Sequence, residues 1–332
     1  MPSPRLSVEQ YVQGVLSGNR GILSRTITLL ESSKDSDRNL SKEILRRIYP
    51  HTGSSIRIGM TGTPGVGKST LLDRLGMHVI QQGLSIAILA IDPSSTRNKG
   101  SILGDKTRMN QLAQQKQAYI RPSPSRGFLG GVGQRTKETI LLCEAAGFDV
   151  VVVETVGVGQ SETMISQMTD VFVSLLLPGG GDELQGIKKG LLEMSDIIVI
   201  NKADGNNLQK AQNTLREHRV AQKYIRPKQD FWNVQTLLCS ALTGMGISDL
   251  WKTICEYQNL LGTKITNYRQ NQDIHWIWTT IKEQIYKDVH QKLQHDWMVL
   301  QEQLRSGTIS TLEIQEILFE SYKNLFQKSE GN

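Results

Sequence analysis

The nonapeptide GTPGVGKST, Gly62 to Thr70, constrains this chain more than any other stretch. It fits G-x-x-x-x-G-K-[ST] in full, follows the apolar run IRIGM, and opens an amphipathic helical pattern. A strand that passes into a helix through a glycine-rich loop aims successive backbone N–H groups at one point, at the positive end of the helix. Phosphate oxygens suit that arrangement. Gly62, Thr63, Pro64, Gly65, Val66, Gly67, Lys68, Ser69 and Thr70 are therefore candidate phosphate contacts. Lys68 is expected to bridge the β- and γ-phosphates, and Ser69 to ligate Mg²⁺. Such a loop needs a strand on one side and a helix on the other, so it also predicts an α/β architecture.

The surrounding pattern agrees. IRIGM, LSIAILAID, QAYIRP, FDVVVVET, DVFVSLLL, DIIVINKAD and NVQTLLCSAL read as strands, several apolar on both faces as buried parallel strands are. Helical patterns lie between them, around 69–82, 134–146, 183–194, 207–223 and 246–261. Together they imply a doubly wound, mostly parallel sheet over residues 52–262. Residues 1–51 read as helical, with Ser7, Asp37 and Ser41 as N-caps and Leu40, Ile44, Leu45 and Ile48 at helical spacing. Over 263–332 glycine almost vanishes, and two long amphipathic helices are expected, separated at Gly307. Their apolar faces exceed what a domain edge usually covers, which predicts a homodimer.

The base-recognition signal follows the strand DIIVINKAD, which ends in Asn201, Lys202 and Asp204. A carboxylate there accepts from both N1–H and the 2-amino group of guanine, and adenine offers no such donor pair. Farther on, CSALTGMG places Ser240, Ala241 and Leu242 where a backbone N–H would meet guanine O6. The expected nucleotides are GTP and GDP. FDVVVVETVGVG sets Glu154 at the end of a buried strand, to hold Mg²⁺ through water, and Gly157 three residues on, to sense a γ-phosphate. Val158 follows that glycine, and Gln160 is offset by two from the usual water-positioning glutamine. Intrinsic hydrolysis is therefore expected to be slow and partner-dependent, with Lys68, Glu154 and Gln160 as catalytic candidates.

Composition removes other classes. The chain has 332 residues, 38% hydrophobic and 21% charged, with a formal charge of +6. That balance describes a globular protein with a solvated basic surface, and predicts no nucleic-acid partner. Cys143, Cys239 and Cys255 show no CxxC spacing, which argues for a reducing compartment and against disulfides or zinc. The first residues lack an apolar core segment, and no run reaches membrane-spanning length, so a cytoplasmic protein with no membrane association is expected.

Taken together, the P-loop, ExxG in place of DxxG, and NKAD followed by SAL resemble the metallochaperone-type P-loop GTPases. AIDPSSTRNKGSILGDKTRM, RPSPSRGFLGG, VVETVGVGQSE and LLPGGGDELQGIKKG are similar to the MeaB/ArgK family, GTPases that chaperone methylmalonyl-CoA mutase. The resemblance runs nearly unbroken over about residues 57–205. It implies a homodimeric GTPase that binds an adenosylcobalamin-dependent acyl-CoA mutase, gates cofactor loading and protects the mutase from inactivation. It also carries over Asp92 and Asp105 as acids near Mg²⁺ and the γ-phosphate; Asp92 further ends the strand LSIAILAID, on the ligand-binding edge of such a sheet. In LPGGGDELQGIKKG, Asp182 and Gln185 form a capping-box pattern. The resemblance adds a coupling switch of Asp182, Gln185 and Lys188 hinged on Gly179 to Gly181. The family commonly has Gly-Ala-Gly-Asp there, where this chain has a third consecutive glycine. Two alternative functions share parts of the pattern: metal delivery by a related GTPase, and a P-loop kinase linked to amino-acid transport.

Overall fold

The computed structural model describes residues 5–32, 34–92, 109–124, 129–155, 160–179, 189–222 and 229–327. Contacts divide it into two compact units, Met1–Gln272 and Asp273–Asn332.

The first unit opens with three helices, α1 (Val8–Leu16), α2 (Arg20–Leu30) and α3 (Asp35–Ile48). Ser7 caps α1 in a full capping box with Gln10, as expected, and Asn19 caps α2. Asp37 and Ser41, expected as caps, lie inside α3 instead. Asp37 pairs with Arg5 at 2.8 Å, and Ser41 Oγ donates to the Asp37 carbonyl one turn back.

Seven parallel strands then form one sheet, β1 (Ile56–Gly62), β2 (Ile86–Asp92), β3 (Ala118–Pro124), β4 (Val150–Thr155), β5 (Val171–Leu176), β6 (Ile197–Ile200) and β7 (Gln235–Leu238). Their spatial order is β3-β2-β4-β1-β5-β6-β7. The intervening helices are α4 (Lys68–Gln81), α5 (Leu129–Ala145), α6 (Gln160–Ser166), α7 (Lys189–Met194), α8 (Leu208–Gln222) and α9 (Ile247–Leu261). The doubly wound reading holds. Every described residue of β4, β5 and β6 is buried, which explains why those runs carry no polar alternation. One core joins Ile58, Met60, Val152 and Val173 of the sheet to Leu71, Leu75 and Val79 of α4 and to Leu250, Ile254 and Tyr257 of α9.

Four charged side chains lock the amino ends of β1 and β5. Arg57 grips Glu144 through two hydrogen bonds of 2.8 Å, and Arg269 grips Asp170 at 2.8 and 2.7 Å. Arg269 also donates to the carbonyls of Gly53 and Ser55, both at 2.6 Å, and Asp170 accepts the Arg57 N–H at 2.8 Å. Two cations balance two anions, so nothing in the quartet is buried without a partner.

A long helix, α10 (Ile265–Lys292), starts in the first unit, and the second unit contains its remainder with α11 (Gln294–Arg305) and α12 (Thr311–Gln327). Two helices were expected where three occur. The additional break falls at Leu293, with no proline or glycine to announce it; the break at Gly307, where φ is +73°, is the expected one. Leu300 and Ile314 are buried in the second unit, where α11 packs on α12. Among the described residues no helix is long and apolar enough to cross a membrane.

Candidate functional site

The strands of the first unit end on one edge, and the described residues of the phosphate loop, Glu154 and the Asn201–Asp204 segment lie along it. β1 ends at Gly62 and runs into the loop Thr63, Pro64, Gly65, Val66 and Gly67, after which α4 begins at Lys68. Val66 is fully buried, whereas Thr63, Pro64 and Gly65 face solvent. Gly67 precedes the helix at φ +95°, a conformation that disfavours a side chain, and a Cβ there would sit 2.8 Å from Asn201 Nδ2. It also has no side chain to cap the first N–H groups of α4, which leaves them for an anion.

Lys68, the first residue of α4, is 8% exposed, and its ammonium donates to the carbonyls of Gly62 (2.5 Å) and Thr63 (3.2 Å). Burial lowers its proton affinity, while the Glu154 and Glu162 carboxylates partly restore it. Ser69 Oγ lies 3.5 Å from Glu154 Oε1, at the buried end of β4. Two hard oxygen donors thus converge beside the loop, a set that suits Mg²⁺. Asp92 is the last residue of β2, in register with Pro124 of β3, on the same edge; its side chain lies outside the description.

The second half of the site is organised by Asn201. Its Nδ2 donates to the Val66 carbonyl at 2.8 Å, and its Oδ1 accepts the Ala241 N–H at 3.1 Å. One side chain thereby ties the phosphate loop, the end of β6 and the segment after β7 into one body. Lys202 follows at φ +57°, unusual for a residue with a side chain, and is exposed. Asp204 accepts a very short hydrogen bond from the Ser240 hydroxyl, which fixes that carboxylate against the Ser240-Ala241-Leu242 segment. Ala241 is buried, whereas Leu242 is 73% exposed.

Gln160 begins α6, with its side chain outside the description. Asp105, Gly157, Asp182, Gln185 and Lys188 lie outside the described residues. The described part of the proposed hinge, Gly179, takes φ +78° and donates its N–H to Thr214 Oγ1 of α8 at 2.9 Å.

Sequence reasoning missed three contributors. Arg74, two turns into α4, donates to the Ala241 and Leu242 carbonyls at 3.3 and 3.2 Å and holds that segment from below. Thr61 and Glu162 form a buried contact under the loop, at 2.9 Å. Glu162 lay inside the quoted stretch VVETVGVGQSE, but an acid in the first turn of a helix reads as an ordinary dipole partner.

Comparisons with known proteins bear on the family. A "Putative GTPase" of Caulobacter vibrioides is 47% identical over 285 residues, covering 85% of this chain and 87% of the relative. "Methylmalonic aciduria type A homolog, mitochondrial" of Mus musculus is 38% identical over 331 residues, covering 96% of this chain and 80% of the relative. Among solved structures, one titled "Crystal structure of LAO/AO transport system kinase" matches with a TM-score of 0.79 and 36% identity, covering 95% of this chain and 97% of the other. A family model described as "Methylmalonyl Co-A mutase-associated GTPase MeaB" matches residues 23–294. With a phosphate loop and an Asn-Lys-Ala-Asp segment joined at one sheet edge, and a family match over most of its length, the chain belongs to the MeaB family of GTPases.

Proposed function

We propose that the chain is a GTP-hydrolysing chaperone of an adenosylcobalamin-dependent acyl-CoA mutase of the methylmalonyl-CoA mutase type, gating cofactor loading and protecting the mutase from inactivation. The observation that carries the partner assignment is the mutase-associated family match, which continues past the nucleotide-binding strands to residue 294. The name of the mouse relative points the same way.

In this reading GTP phosphates lie against residues 62–70, with Lys68 beside the β- and γ-phosphates and Gly157 at the γ-phosphate. Ser69, Glu154 and Asp92 would hold Mg²⁺, which would neutralise charge on the phosphate oxygens. Asp105 and Gln160 complete the catalytic set. Asp204 receives the guanine N1–H and 2-amino groups, and Ser240-Ala241-Leu242 lies beside O6. Since hydrogen bonds to a charged group contribute about 1.5–3 kcal/mol each, Asp204→Asn should weaken GTP binding by about 100-fold or more. An amide can donate to the 2-oxo group of xanthine, so the same variant should gain affinity for xanthosine triphosphate; calorimetric titration of both nucleotides checks this.

Asp182, Gln185 and Lys188 are assigned to coupling between nucleotide state and the mutase. Lys188→Ala should keep the Kd for GTP within about twofold yet lose the mutase-stimulated part of hydrolysis, as single-turnover rates with and without mutase would show. Homodimerisation through the C-terminal helices is supported by Ile274, Ile277, Ile281 and Ile285 of α10, which recur at helical spacing and are each at least 40% exposed. Metal delivery is less well supported. The Cys143 and Cys239 thiols are buried and pushed up in pKa by desolvation, Cys239 to about 12, which disfavours the thiolate a soft metal needs. A kinase would have no use for a guanine site.

The test is capture of purified methylmalonyl-CoA mutase by the immobilised protein in the presence of GDP, a non-hydrolysable GTP analogue, or no nucleotide. Nucleotide-dependent capture supports the reading, and absence of capture in all three states contradicts it.

A further inference from the structure

Five of the six backbone N–H groups from Ser240 to Met245 are spent inside the protein. Ser240 N–H donates to the Met245 carbonyl at 2.9 Å, and Gly244 N–H to the Ser240 carbonyl at 2.8 Å. Ala241 N–H goes to Asn201 Oδ1 at 3.1 Å, Thr243 N–H to Ser240 Oγ at 3.1 Å, and Met245 N–H to Thr243 Oγ1 at 3.3 Å. The sixth belongs to Leu242, which is 73% exposed, and it meets no acceptor among the described residues. Two residues earlier, the Ser240 hydroxyl holds the Asp204 carboxylate. One turn thus presents a carboxylate with lone pairs to spare and one open N–H. That pattern complements the edge of guanine, which offers N1–H and the 2-amino group as donors and the 6-oxo group as acceptor.

Arg74 of α4 aims that N–H. Its Nε donates to the Ala241 carbonyl at 3.3 Å, and its Nη2 to the Leu242 carbonyl at 3.2 Å. Among the described residues no carboxylate pairs with this guanidinium, so its hydrogen bonds go to the backbone of the turn. The Ala241 carbonyl and the Leu242 N–H belong to one planar trans peptide and point in opposite directions. Gripping the oxygen from α4 therefore turns the N–H away from α4. The second bond fixes the next peptide plane, so one rigid fork sets both planes that meet at the Leu242 Cα. Asn201 holds the peptide before them through the Ala241 N–H. We infer that Arg74 is a positioning residue that aims the Leu242 N–H at the 6-oxo group of guanine and so strengthens binding of 6-oxopurine nucleotides. This rests on the reading that the base lies against Asp204 and Ser240-Ala241-Leu242. The guanidinium acts through the peptide and not on the base. Lys68 and Arg74 share one helix, so α4 carries one group for the phosphates and one for the base.

The experiment measures Kd by calorimetry in the full chain for GDP, inosine diphosphate and 6-thioguanosine diphosphate, which share ribose and phosphates. Inosine diphosphate keeps the 6-oxo group and lacks the 2-amino group. The thio nucleotide keeps both donors that face Asp204 and carries a weakly accepting sulfur at position 6. Arg74→Ala is expected to weaken GDP and inosine diphosphate each by about tenfold, and the thio nucleotide by no more than about twofold. If Arg74→Ala does not fold, Arg74→Met, which keeps the apolar stem and removes every donor, carries the same expectation. A preference for GDP over the thio nucleotide within about twofold of the parent's overturns the proposal, whether all three weaken together or none does. A loss confined to GDP also overturns it, since the contact at fault would then be that of the 2-amino group. Asp204→Asn serves as the control: if it binds GDP as the parent does, the guanine-site reading has failed instead.

Discussion

Lys68→Ala is expected to lower kcat/KM for GTP by about three orders of magnitude, the larger end of what one preorganised electrostatic group supplies in a buried site. The lysine is the first residue of α4, nearly buried, and tethered by two loop carbonyls, so its charge is held at the loop. Burial lowers its proton affinity, and the carboxylates of Glu154 and Glu162 oppose that effect in part. Alanine removes that cation and leaves negative charge facing incoming phosphates. The helix itself should tolerate the change, because alanine is a good helix former and the α4 core contacts come from Leu71, Leu75 and Val79. Single-turnover hydrolysis and a thermal melt separate the two effects: activity should collapse while the melting temperature moves little.

The converse is expected for Arg269→Ala, which should unfold the protein more readily without touching the nucleotide edge. Arg269 binds Asp170 bidentately and donates to two backbone carbonyls, and Asp170 is fully buried. Removing the guanidinium strands a carboxylate away from water, a loss of about 3–5 kcal/mol. For a unit of this size that corresponds to a fall of roughly 10 °C in Tm. The quartet sits where β1 and β5 begin, whereas the phosphate loop follows the end of β1. GTP affinity measured well below the melting temperature should therefore remain within about twofold of the parent. Arg269→Lys should recover only part of the loss, since an ammonium cannot reproduce the two-pronged contact. A melting temperature unchanged by Arg269→Ala would show that the network contributes little.

The two variants also mark the limits of reading this chain as a string. The phosphate loop and the seven strands were legible because local pattern decides them: VVVV and LSIAILAID are apolar on both faces only if helices cover both. The extra helix break at Leu293 was not legible, because no breaker residue marks it and the apolar period continues through it. The cap assignments of Asp37 and Ser41 failed because a helix also accepts such residues inside it, Ser41 by bonding the carbonyl one turn back and Asp37 by pairing with Arg5 from the first turn. The quartet of Arg57, Glu144, Asp170 and Arg269 could not be read at all. Its contacts join residues 87 to 216 positions apart, and each member alone is an ordinary charged residue. In the site, Asn201 and Asp204 were found by motif. That Asn201 spends both amide atoms on tying Val66 to Ala241 became visible only in three dimensions.

The central claim is that GTP held at this edge is hydrolysed under the control of a mutase. Its most direct test is GTP turnover by the purified protein alone and after addition of stoichiometric methylmalonyl-CoA mutase. The account predicts slow turnover alone and an acceleration of at least about tenfold with the mutase, as expected when the residue after Gly157 is Val158 and a partner must complete the site. Turnover that is unchanged by the mutase, with no complex detectable in any nucleotide state, would contradict it.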